Sequence, residues 1–159
     1  MHWLRLTWWL SRAALIVQAA YYWPRLPERL ASHFDASGTP DGYSTRAEFM
    51  LVWFFAIVIV NITPLIIGPL IRKLPARFVN TPNRDYWLAN PERRERMIAI
   101  VNAMLSGTLL GANIILLLAF QYTIDQNIGD RSLPISMIWI GVAAQLLLSL
   151  GSEIGRAHV

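Results

Sequence analysis

Residues 49 to 71, FMLVWFFAIVIVNITPLIIGPLI, run without one charged side chain. A helix rises about 1.5 Å per residue and the hydrocarbon core of a bilayer is about 30 Å thick, so roughly 20 apolar residues suffice to cross it. Residues 97 to 121, MIAIVNAMLSGTLLGANIILLLAFQ, repeat that property, and residues 133 to 151 are uncharged though barely long enough. A chain of 159 residues that is 55% hydrophobic has the length of one domain but more apolar side chain than a water-soluble core of that size can bury. A bilayer is its natural solvent.

A fourth span is expected over residues 3 to 23. It carries Arg5 and Arg12 among Trp3, Trp8 and Trp9, and ends in Tyr21, Tyr22 and Trp23, so aromatic residues mark both interfaces. The bulky residues after Ala19 and Ala20 argue against a signal-peptide cleavage site. For Arg12 the preferred reading is a cation that snorkels to the headgroups, with an intramembrane charge seeking a polar partner as the alternative.

The fold class expected is therefore all-α, an integral membrane four-helix bundle. Seven Lys and Arg residues lie between 72 and 96, against three between 24 and 48 and one between 122 and 132. By the positive-inside rule the middle connection is cytoplasmic, both termini are cytoplasmic, and the stretch HFDASGTPDGYS at 33 to 44 faces outward. This is a multi-pass topology in a plasma membrane. The formal charge of +4 belongs to this topology rather than to nucleic-acid binding, because the basic residues flank apolar runs. There are no cysteines, so neither a disulfide nor a thiolate metal site is available.

Local signals add detail. Pro24 and Pro27 suggest a helix exit and a short interfacial helix over 27 to 32. DASG and TPDG read as two successive turns, with Asp35 and Asp41 accepting backbone amides and Gly38 and Gly42 supplying positive φ. Pro64 and Pro69 predict a kink or early end in the second span, beside Asn61, Thr63 and Gly68. Asn90 is the expected N-cap of the third helix, with Pro91 at its first position and Glu92 in its first turn. Arg93, Arg94 and Arg96 then serve as headgroup anchors. Ala103, Gly107 and Gly111 recur every four residues and predict one smooth helix face, for another span or for a second copy of the chain. Asn102, Ser106 and Asn113 lie near that side as cross-helix hydrogen-bonding groups.

His33, Asp35 and Asp41 are the one cluster with the look of a metal or acid–base set, near Glu28 and Glu48. Metal binding needs three or more converging ligands, and an HxD pair in a turn-rich loop is more often a cap and a packed imidazole. No triad orients Ser32, Ser37 or Ser44. No catalytic residue, metal or cofactor is assigned, and no Walker loop, dinucleotide fingerprint or HExxH is present.

YYWPRLPERLASHFDASGTPDGYSTRAEF resembles the signature of the bacterial membrane family called domain of unknown function 1648, through Leu26, Pro27, His33, Phe34, Gly38, Pro40, Asp41 and Gly42. NTPNRDYWLANPERRE is similar to the family's other recurring segment, through Pro82, Asn83, Asp85, Tyr86, Trp87 and Leu88. Ala31 and Asp35 replace a proline and an asparagine of some relatives. The family occurs at the N-terminus of SdpI-type proteins, which protect producing cells from a secreted membrane-active toxin and help signal its presence. The resemblance thus implies a non-enzymatic sensor or immunity module, whose outer loop (His33, Phe34, Asp35, Gly38, Pro40, Asp41, Gly42) meets a peptide or envelope component. Its cytoplasmic motif (Pro82, Asn83, Asp85, Tyr86, Trp87) would meet a regulator. The alternative is a subunit of an oligomeric transporter, with Arg12, Asn61, Asn102 and Asn113 along a polar route.

The last residues, EIGRAHV, translate codon for codon from GAG ATC GGA AGA GCA CAC GTC, which resembles read-through into a sequencing adapter. Residues 153 to 159 are therefore expected to be non-native, after a membrane domain at 1 to 152. The resemblance likewise implies a short basic tail in their place.

Overall fold

The computed structural model describes residues 2–129 and 134–154. The chain is mostly helical: α1 (His2–Tyr22), α2 (Arg46–Lys73), a short α3 (Arg84–Leu88), α4 (Pro91–Ile128) and α5 (Ser136–Ile154). It is not all-α. Strands β1 (Arg29–Phe34) and β2 (Pro40–Thr45) form an antiparallel hairpin between α1 and α2. The tail expected to be non-native falls mostly outside the described residues, and Leu133, at the start of the uncharged run at 133 to 151, lies outside them too.

The helix expected over 27 to 32 is replaced by a 3₁₀ turn at Trp23–Arg25 and then by β1. An isolated helix of that length would fix several residues for one or two hydrogen bonds. As a strand, the same segment buries Leu30 and Ala31 and pairs Arg29 with Thr45, Leu30 with Ser44 and Ala31 with Tyr43. Only the first expected turn exists. Asp35 and Gly38 close it, whereas Pro40, Asp41 and Gly42 belong to β2, where the register shifts on either side of His33. Gly38 has φ +90°, and an added Cβ would sit 2.3 Å from the Tyr122 hydroxyl, so the position excludes any side chain. Gly42 has a different reason from the expected one: a Cβ there would lie 2.9 Å from His33 Cβ across the hairpin.

β2 runs directly into α2 through a capping box, in which Thr45 Oγ1 accepts from the Glu48 amide and Glu48 accepts from the Thr45 amide. Pro64 and Pro69 do not end α2, which continues to Lys73. At its C-terminus Arg94 donates to the carbonyl of Leu74 at 2.6 Å, satisfying a group the helix end leaves free. Asn90 caps α4 as expected, accepting from the Arg93 amide at 2.9 Å. The helix then runs past residue 121 to Ile128, where Gly129 adopts φ 78° as a left-handed cap.

α4 is the common element, packing against α1, α2, α5, α3 and β1. Leu15, Leu26, Leu30, Trp53, Phe120 and Ile124 form the buried core where the hairpin meets the helices, and Trp53 stacks on Phe120 at 4.2 Å. Below it α2 and α4 are long and apolar enough to cross a membrane. Their outward faces stay uncovered: Val52, Leu65 and Ile59 in α2 are 69%, 63% and 62% exposed. A core helix of a water-soluble protein would bury such side chains, and an apolar surface of this extent calls for a lipid or protein cover.

Candidate functional site

The hairpin is fastened to the far end of α4 by side chains that continue the helix beyond its apolar run. Asn127 accepts from the Ala31 amide and donates to the Ala31 carbonyl, both at 2.8 Å, so one side-chain amide stands in for a neighbouring strand. Tyr122 donates to the Gly38 carbonyl at 2.9 Å, and its ring meets Phe34 edge-on at 5.1 Å. At the hairpin's base Arg46 reaches the Leu26 carbonyl and the Glu28 carboxylate, each at 3.2 Å. The family-signature residues are thus divided: Phe34 and Gly38 are docking contacts, while His33 and Asp41 pair with each other on the exposed side.

Asp35 works within the turn, accepting from the Ser37 amide and hydroxyl and from the Thr39 amide. The Ser37 hydroxyl and then the Thr39 amide hold its carboxyl below the ordinary carboxylate range. A pKa depressed by folding stabilises the turn above the unfolded value, and that contribution is lost as pH falls through the lower folded value. The amide proton shifts of Ser37 and Thr39 should therefore titrate together, below the pH of a free aspartate, and stop titrating in Asp35→Asn. Titration at the ordinary aspartate pH would show that these bonds do not persist in solution. Among the described residues no group of three or more His, Asp or Glu side chains is placed to hold a metal ion.

Asn127 also fixes which edge of the hairpin is open. Because both peptide groups of Ala31 turn toward α4, Ala31 and Tyr43 form a non-hydrogen-bonded pair, and the Tyr43 N–H and C=O point away from β1. Asn127 covers β1 at Ala31, whereas among the described residues nothing bonds the outward peptide groups of β2 at Tyr43, which is 61% exposed beside the His33–Asp41 pair.

Between the helices, Arg12 has the polar partner of the alternative reading. Its Nε donates to Asn61 Oδ1 and its Nη2 to the Asn61 carbonyl, both at 2.7 Å, and its guanidinium lies 3.1 Å over the Trp8 ring. Asn61 exchanges 3.1 Å hydrogen bonds with the fully buried Asn113, which also donates to Ser11. The network ties α1, α2 and α4 together and satisfies the polar groups it buries. Asn102 and Ser106 do not join it; Ser106 bonds the Asn102 carbonyl of its own helix. Nearer the hairpin Gln18 donates to Gln121, which donates to Asp125.

The smooth face of α4 is used only in part. At Gly111 an added Cβ would fall 1.6 Å from Gln145 Oε1, because the end of that α5 side chain lies over the glycine, whereas Gly107 meets nothing within 4 Å and Ala103 is exposed.

At the basic end, Asn83 takes φ 52°, a left-handed conformation that asparagine tolerates better than most residues, and turns the chain into α3. Pro82, Asn83, Asp85, Tyr86 and Trp87 line one wall of a cleft of about 890 Å³. The first turns of α4 form the other wall.

Sequence reading overlooked Asn127, Tyr122 and this cleft. The available signal was helical: DQNIG ends in a glycine suited to a left-handed cap, which places the end of α4 beyond its apolar run.

The family model described as Domain of unknown function (DUF1648) matches residues 12–60, from Arg12 through the hairpin into α2. The second recurring segment, NTPNRDYWLANPERRE, lies beyond that interval. No curated protein and no solved structure matches the chain.

Proposed function

For a chain that carries the domain of unknown function 1648 over residues 12–60, we propose a non-enzymatic membrane module that receives an extended peptide on the free edge of β2. The observation that carries this reading is the asymmetry of the hairpin. Asn127 occupies the β1 edge at Ala31, while among the described residues the β2 edge is open at Tyr43, and an unpaired edge is a template for strand addition. Main-chain bonds would supply affinity, while Tyr43 and the His33–Asp41 pair would select side chains.

On the same reading α1, α2, α4 and α5 cross a bacterial plasma membrane as a four-helix bundle with both termini cytoplasmic and the hairpin outside. The basic segment from 72 to 96 supports that orientation. The peptide is then a secreted membrane-active toxin or an envelope component, the activity is sensing or immunity, as in SdpI-type proteins, and the cytoplasmic motif meets a regulator. Transport has less support, because Arg12, Asn61 and Asn113 bond one another instead of lining a route.

Tyr43→Pro tests the reading. Proline removes the outward N–H without removing a bond of the hairpin ladder. Cells carrying this variant, challenged with membrane-active peptides, should respond as gene-deleted cells do, while the purified variant keeps its circular dichroism and melting temperature. Full protection and an unchanged transcriptional response in both strains would refute the reading.

A further inference from the structure

We infer that the cleft between α3 and the first turns of α4 is a binding site for one anionic phospholipid. One stripe of α4 forms its wall: Arg96 at the top, then Met97, Ile100 and Val101 at helical spacings beneath it. From Arg96 to Val101 the stripe descends about 7.5 Å, so a headgroup held at Arg96 lays the start of its acyl chain on Ile100 and Val101. Trp87 and Tyr86 close the opposite side, and the volume of about 890 Å³ suits a headgroup with its first methylenes.

Charge selects the occupant. Of the three arginines that open α4, Arg94 is engaged by the Leu74 carbonyl and Arg93 lies 4.2 Å over the Tyr86 ring. Arg96 is exposed and, among the described residues, has no hydrogen-bond or ion-pair partner. Arg84 also lines the cleft, while donating to the Ala76 carbonyl at 2.9 Å, and Asp85 is the one carboxylate there. Two cations against one anion, above an apolar wall, match a phosphodiester on an acyl chain better than a zwitterionic lipid or a soluble anion.

The inference rests on the membrane orientation proposed above, and one experiment separates the two. The full chain is reconstituted into phosphatidylcholine nanodiscs containing a minority of phosphatidylglycerol, and the lipid retained on the ejected protein is read by native mass spectrometry. One phosphatidylglycerol should remain, enriched over its share of the disc. Arg96→Gln should lower that enrichment about fivefold, Val101→Trp should abolish it by filling the cleft, and Arg77→Gln, an exposed arginine outside the cleft, should leave it unchanged. Equal retention of both lipids, an equal loss in Arg77→Gln, or displacement of the lipid by inorganic phosphate would overturn the site. A chain that fails to enter the disc defeats the membrane reading itself, whereas one that enters and holds no phosphatidylglycerol defeats only the cleft.

Discussion

Asn61→Leu should destabilise the folded chain by about 2–3 kcal/mol, whereas Arg12→Met should cost about 1 kcal/mol or less. The asymmetry follows from what each change leaves behind. Leucine at 61 removes the Oδ1 that accepts from Arg12 and also the partner of Asn113, so the guanidinium keeps only the backbone carbonyl of residue 61 and Asn113 is left short of a partner. Methionine at 12 removes the charge itself and leaves Asn61 bonded to Asn113 and to the Ile57 carbonyl. The double variant should then recover more than half of the loss, giving a coupling well above the scatter of independent sites. Unfolding of the detergent-solubilised protein by denaturant or heat measures all three. If Arg12 instead relaxes to the headgroups, Asn61→Leu is nearly neutral and the two effects add.

That network explains a limit of the sequence. Arg12 and Asn61 stand 49 positions apart, and nothing local to either shows that they meet. A lone arginine in a span most often does snorkel where its long stem lets the charge reach the headgroups without a partner. Three-dimensional packing reverses the balance here: α4 brings the fully buried Asn113 between α1 and α2, and Asn61 bridges the two polar groups. By contrast, the uncharged runs at 49 to 71 and 97 to 121 announced α2 and α4 directly, because length and hydropathy are properties of the segment alone.

The hairpin was hidden for a related reason. RLASHF and PDGYST are short, and neither has the strict alternation of a half-buried strand, so the prolines and the DASG and TPDG tetrapeptides dominated the reading. What makes them strands is supplied from elsewhere: the helix end at Asn127 that satisfies Ala31, and the core at Phe120 and Ile124 that receives Leu30. An isolated two-stranded hairpin is marginal in water, so its existence here depends on that support. Hydropathy ended the third helix at residue 121, and with it removed the residues that hold the hairpin from view.

Asn127→Ala should accordingly release the hairpin from α4 without unfolding the helices. Both polar groups of the Ala31 peptide positions lose their partner at once, in a residue only 6% exposed, at a cost of about 2–4 kcal/mol. The Tyr122 bond to Gly38 remains, but it holds the turn rather than the strand. Amide exchange at Leu30 and Ala31 should rise by at least a hundredfold, while the amides of α4 around Asn113 keep their protection. Asn127→Asp sharpens the test, since a carboxylate accepts from the Ala31 amide but sets a negative oxygen against the Ala31 carbonyl; it should release the strand nearly as fully as alanine does. Unchanged exchange in both variants would mean that Leu26 and Leu30 in the core suffice to dock the hairpin. Release, in contrast, would free the β1 edge as well, so that an added strand no longer has β2 as its only template and the proposed selectivity for one edge is lost.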